Sequence, residues 1–217
     1  PFLDVTLSAQ FTNGDHTLKV NGFYDGGGTY CLRCMPTELG TWSYTTQSNA
    51  STLNGLTGSF ECIAPAVNNH GPVYVHNTFH FAHADGTTYY PFGTTCYAWT
   101  HQGDAMEEQT LATLKEASFN KMRMCVFPKD YPWNNNEPPL YAYERDAEGN
   151  HDFTRFNPAF FQHFEQRVGD LLKLGIEADI IIFHPYDRWG YARMDAETDY
   201  RYLSYLIARL SAYRNVW

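Results

Sequence analysis

Leu3, Val5, Leu7, Ala9 and Phe11 alternate with polar residues, which is the period of a strand with one buried face. Asn13-Gly14 then predicts a turn, followed by the apolar-polar run Leu18-Lys19-Val20. A second strand is expected at residues 30–35, a third from Trp42 through Thr45, and others at 60–63 and 73–81. The polar stretch 47–58 reads as a long loop, and Asp85-Gly86 closes the region. Short strands separated by Gly, Asn and Pro turns predict a small all-β sandwich over residues 1–84. The run Gly26-Gly27-Gly28 lacks both the Lys-Ser/Thr of a phosphate loop and a following helix, so it is read as a turn.

Beyond Thr87 the periodicity changes. Residues 89–99 predict a strand, and Asp104 with Glu107 has the spacing of a capping box ahead of a helix running to about Ser118. Residues 122–127 predict the next strand, stopped by Pro128, and a long aromatic loop occupies 129–156. Asn157-Pro158 is a helix start whose apolar face is Phe160, Phe161, Phe164, Val168, Leu171 and Leu172. The nearly continuous apolar run 178–183 predicts a strand covered on both sides. A last helix presents Leu203, Leu206, Ile207 and Leu210, and Asn215-Val216-Trp217 looks like the opening of another strand. Long loops follow the strands and short ones follow the helices. The expected fold is therefore multidomain, an all-β sandwich followed by the first half of a (β/α)8 TIM barrel over 85–217.

Charge narrows the function classes. With 24 acids against 15 bases the net charge is −9, which opposes nonspecific binding to nucleic acid or an anionic membrane. No run of about 18 apolar residues exists to span a bilayer. Cys31 and Cys34 form a CxxC without a second pair at zinc spacing, so all five cysteines are read as free thiols. Free thiols favour the cytoplasm, whereas a polysaccharide substrate would favour export. No nucleotide fingerprint or metal cluster is found, so no cofactor is expected.

Three expected strand ends carry the candidate chemistry: Tyr97–His101, Phe127–Asn134 and His184–Trp189. Parallel strands bring such ends onto one rim. Trp99, Trp133 and Trp189 offer flat apolar faces for sugar rings, while His101, Asp130, His184 and Asp187 offer polar groups to hydroxyls, and Lys129 is counted with the substrate-binding residues. Acetal hydrolysis needs two carboxyl groups, one of them able to donate a proton. Asp130 and Asp187 are available, yet each adjoins a basic residue, Lys129 and Arg188, that keeps it ionised. Neither is assigned a catalytic role. Arg123 interrupts an apolar strand and requires a carboxylate or several acceptors if buried.

These residues also carry a family resemblance. Phe119-Asn120-Lys121-Met122-Arg123 with Val126-Phe127-Pro128 resembles the second barrel strand of retaining glycoside hydrolases of the large (β/α)8 clan. Residues 90–99, Tyr-Pro-Phe-Gly-Thr-Thr-Cys-Tyr-Ala-Trp, resemble the first strand of a bacterial subgroup in that superfamily. Residues 35–42, Met-Pro-Thr-Glu-Leu-Gly-Thr-Trp, are similar to the sandwich domain that precedes its barrel. The resemblance implies a carbohydrate substrate, with Arg123 holding the nucleophilic Glu and His184 lining a sugar subsite. It also implies that Asn215-Val216-Trp217 opens the fourth barrel strand. Both catalytic Glu residues are then expected beyond residue 217, with the remainder of the barrel as structural partner. The alternatives are a non-catalytic carbohydrate-binding protein and a structural protein.

Overall fold

The alternation at the N-terminus does form a strand, β1 (Leu7–Asn13), which turns at Asn13-Gly14 into β2 (His16–Asn21). The computed structural model describes all 217 residues and divides into two compact units, residues 1–69 with 200–212, and residues 70–199 with 213–217. In the first unit β3 (Phe23–Gly26) and β4 (Thr29–Cys31) make a separate hairpin. The strands β5 (Gly40–Ser48) and β6 (Thr57–Cys62) complete an antiparallel sheet in the order β2-β1-β5-β6. Its inner face buries Ala9, Phe11 and Trp42, with Leu18, Val20, Tyr44 and Phe60 packed against them. Cross-strand register pairs Phe11 with Tyr44 and Trp42 with Phe60, so large rings meet directly across the ladder.

The second unit begins with β7 (Val73–His76), β8 (His80–His83) and β9 (Thr88–Tyr89), an antiparallel meander. Asn77 and Thr78 both take positive φ, 47° and 68°, within the three-residue turn 77–79 that joins β7 to β8. The strands β10 (Gly93–Thr95) and β11 (Lys121–Cys125) pair in parallel. Between them lies α1 (Asp104–Glu116), which starts after Gly103 at φ 85°. The expected capping box does not form there. The Glu107 carboxylate accepts the Gly103 N–H at 3.2 Å, but Asp104 does not serve as the cap. The long loop contains the hairpin β12 (Tyr143–Arg145) and β13 (His151–Phe156), which the sequence pattern did not predict. The helix α2 (Pro158–Lys173) opens as expected, with Asn157 accepting the Ala159 N–H at 3.1 Å and Pro158 in the first turn. It buries Phe160, Phe161, Phe164, Val168 and Leu171. The strand β14 (Glu177–Ile181) pairs in parallel with β11, and Val216 bridges in parallel to Ala178 on its other side.

The last helix, α3 (Ala196–Leu210), contributes residues 200–210 to the first unit. Its buried side keeps Leu206 and Leu210 of the expected face and adds Tyr202, Tyr205 and Arg209, while Ile207 is exposed. Tyr205 donates to the Tyr24 carbonyl at 2.7 Å, and the fully buried Arg209 pairs with Asp25 at 2.6 Å.

The expected all-β sandwich followed by half a (β/α)8 barrel is corrected by this architecture. A sandwich needs a second sheet facing the first. Here Leu32 and Cys34, beyond the end of β4, pack on the inner face of β2-β1-β5-β6, and helical residues complete the unit. The strand expected at 89–99 is broken at Pro91, which has no N–H to give a ladder. Tyr89 joins β8 antiparallel, Gly93–Thr95 joins β11, and Trp99–His101 is a turn of 3₁₀ helix. The chain is a set of five small sheets with three α-helices.

Candidate functional site

The parallel strands β10, β11 and β14 end together, and their register is carried into the loops that follow. Cys96 N–H donates to the Arg123 carbonyl at 2.9 Å, Cys125 N–H to Tyr97 at 3.0 Å, and Val126 N–H to Ile181 at 3.1 Å. Three loops therefore leave from one edge. Lys129, from the second of them, places its ammonium 3.7 Å from the ring centroid of Tyr97, 4.4 Å from Tyr186 and 4.6 Å from Tyr131. One ring comes from each loop. Cation–π attraction of this kind strengthens when the cation is shielded from water, and Lys129 is 9% exposed. Tyr97, Tyr131 and Tyr186 had stood in the three strand-end segments without being singled out, because spacing alone does not show that they share one cation.

The tip of the second loop is Trp133, which is 85% exposed and lies against Tyr131 with ring centroids 5.8 Å apart. Asp187 in the third loop accepts the N–H groups of Trp189 (2.8 Å), Gly190 (3.0 Å) and Ala192 (2.8 Å). Its carboxylate orders that loop. Trp189 donates its indole N–H to Glu137 at 2.8 Å and lies under the Arg188 guanidinium. His184 pairs its Nε2 with the Phe127 carbonyl at 3.1 Å, which puts the proton on Nε2 and leaves Nδ1 as a buried acceptor without a hydrogen bond. Burial lowers its pKa, with Lys129 adding to the effect, so the ring is neutral near pH 7. His184 lines a cavity of about 390 Å³ together with Phe127, Phe183, Pro185, Tyr191, Ala192 and Asp199.

Lys129, Trp133, His184, Asp187 and Trp189 thus sit in the loops that leave the rim. Trp99, His101 and Arg123 occupy other surroundings. Trp99 is 3% exposed and donates its indole N–H to the Glu107 carbonyl at 3.2 Å. His101 is also buried, bonds the Val126 carbonyl at 2.9 Å, and packs parallel to Phe160. Desolvation pushes its pKa down to about 4. Arg123 has a half-exposed side chain, and the carboxylate it pairs with is its register partner on β14, Asp179, at 2.8 Å. Lys121 shares the same oxygen at 2.9 Å.

One cluster has the composition of a cation site, Asp104, Glu107 and His163. Arg167 already supplies the positive charge there. It bonds Glu107 at 2.7 Å and Asp104 at 3.2 Å, and it reaches Glu108 and Asp170 as well. Burial opposes ionisation of Glu107, but His163 and Arg167 together hold its pKa below the usual range. The cluster ties α1 to α2.

The family profile described as Apiosidase-like, catalytic domain, matches residues 75–217, and a domain of unknown function (DUF5060) matches residues 1–49. A protein of Bacteroides vulgatus ATCC 8482 described as a candidate glycoside hydrolase is 50% identical and superposes with a TM-score of 0.95. The match covers 99% of this chain and 44% of that one, so this chain spans less than half the length of that relative. At 15% identity, a family 5 glycoside hydrolase from the same organism shares the fold over 68% of this chain and 32% of its own, with a TM-score of 0.51. Among curated proteins there is no match.

Proposed function

This chain belongs to the Apiosidase-like catalytic-domain family, and from that premise we propose that the protein is a glycoside hydrolase of poly- or oligosaccharides, acting with retention through two carboxylates. The observation that carries this reading is the aromatic rim, where three strand-end loops surround Lys129 and present Trp133 to solvent. A sugar offers a flat C–H face and a fringe of hydroxyls. Trp133 and Tyr131 suit the face, and Lys129 and His184 suit the fringe. Asp187 spends its oxygens on three backbone N–H groups and is assigned to loop order. The proton donor and nucleophile are assigned to carboxylates outside residues 1–217.

That same commitment of Asp187 favours one second reading, a rim that binds carbohydrate without cleaving it. The test is to incubate the full-length protein with 4-nitrophenyl glycosides, an apioside among them, and with plant oligosaccharides. NMR of the first-formed anomer then reports retention. Turnover of at least one member with retention is expected. Saturable binding without turnover supports the second reading, and absence of both in folded protein overturns the sugar assignment.

A further inference from the structure

Glu137 was not among the residues selected from the sequence, yet its carboxylate is where the second and third rim loops are tied together. Its Oε1 lies 2.9 Å from Arg188 Nη2. Its Oε2 accepts the Trp189 indole N–H at 2.8 Å and the Tyr141 hydroxyl. The same Arg188 nitrogen donates to the Asn135 carbonyl at 2.6 Å, and Asp130 N–H donates to the Tyr186 carbonyl at 2.9 Å. Asp187 prepares the donors, because its three backbone bonds fix the turn that presents Trp189. Between these ties, Tyr131 and Asn134 exchange both backbone bonds, at 3.1 and 3.0 Å, and close a turn with Trp133 at its tip. A large exposed indole on such a loop would normally sample many positions, and ordering it on binding costs affinity.

We propose that Glu137 is a positioning residue that holds the Tyr131–Trp133 aromatic surface in place for a sugar ring. It gathers a guanidinium, an indole and a phenol from around the loop and removes the freedom that binding would otherwise have to remove. The inference deepens the sugar-rim reading and rests on it for its consequence in catalysis, but the positioning itself is measurable without any sugar.

The experiment labels the full-length protein with 5-fluorotryptophan and follows the ¹⁹F spectrum, with Trp133 and Trp189 resonances assigned by Trp133→Phe and Trp189→Phe. In Glu137→Ala the Trp189 resonance shifts because its bond is gone, which confirms that the tie is broken. The Trp133 resonance is expected to shift or broaden as well, and Glu137→Gln, which keeps an acceptor, is expected to lie between. Arg188→Met should reproduce the effect from the other side. A Trp133 resonance unmoved while Trp189 moves overturns the proposal. Kinetics add a second arm with whichever glycoside is turned over. Glu137→Ala should raise KM by about tenfold with kcat nearly unchanged, as loss of uniform binding does. The Glu137→Ala/Trp133→Ala pair should be no worse than Trp133→Ala alone, since the first acts through the second. Additive effects would overturn it. Absence of any turnover would strike the hydrolase reading and leave the spectral result to decide the positioning.

Discussion

Trp99 and Trp133 were equivalent in the sequence, each an indole near an expected strand end, and burial separates them. Replacing Trp99 by Ala empties a packed site and is expected to cost about 3–5 kcal/mol of stability, measured by urea unfolding. Trp133→Ala should leave the unfolding midpoint within experimental error and weaken sugar binding by about tenfold, measured by calorimetry. Two buried titratable residues give opposite pH signatures. Glu177 is 3% exposed with Oε2 unpaired, and burial pushes its pKa up to about 7 against a weaker opposing pull from Arg214. The folded state then binds a proton more tightly than the unfolded chain. Its contribution is complete below the ordinary Glu pKa of about 4.5 and is lost as pH rises toward 7. His101, depressed to about 4, acts the other way, with stability lost as pH falls from 6.5 toward 4. Glu177→Gln should therefore raise stability at pH 8 by up to about 3 kcal/mol and do little at pH 4.5. Thermal melts at the two pH values check it, and an equal shift at both would count against the assignment.

Among the elements, α2 was legible because Asn157, Pro158 and a continuous apolar stripe all point to one helix start and one buried face. The region 89–99 was misread as one strand because its apolar content outweighed Pro91, which sends the two halves into different sheets. The hairpin β12–β13 was hidden because its strands carry Glu144, Arg145, Asp152 and Arg155, and alternation is weak where little is buried. In the rim, the aromatic segments were visible, but the shared cation and the Glu137 tie were not. Both depend on which loops the parallel register brings together. Arg167 was equally invisible, since a polar residue within a helical pattern reads as solvated. In the structure it is 1% exposed and joins α2 to Asp104, Glu107 and Glu108 of α1. Removing one partner leaves buried Glu107 facing His163 alone, so Arg167→Met is expected to cost about 3–5 kcal/mol in chemical unfolding. Glu107→Gln with Arg167→Met should recover part of that loss, because the uncompensated charge is then gone.

At the scale of the whole molecule, the first unit is built from two distant stretches of chain. Residues 1–84 read from the sequence as a self-sufficient sandwich, yet the contacts join residues 1–69 to residues 200–212. Within that unit Tyr205 packs edge-on to Phe2 and Phe23 and bonds the Tyr24 carbonyl. Arg209, fully buried, lies 4.4 Å over the Phe23 ring and pairs with Asp25, while Arg33 donates to the Arg209 carbonyl at 2.6 Å. Without α3, Asp25 loses the Arg209 guanidinium, and the Phe23 ring loses that group while Arg33 stays 4.9 Å from its centroid. Too few buried apolar residues then remain in Ala9, Phe11 and Trp42 to offset the chain entropy of about 70 ordered residues. Residues 1–84 expressed alone are therefore expected to show no cooperative thermal transition by circular dichroism. In the intact protein, Asp25→Asn should lower stability by about 3 kcal/mol, because Arg209 keeps its burial and loses its charge partner. A sharp melt for residues 1–84, or an Asp25→Asn protein as stable as the parent, would show that the small β unit draws its stability from its own strands instead.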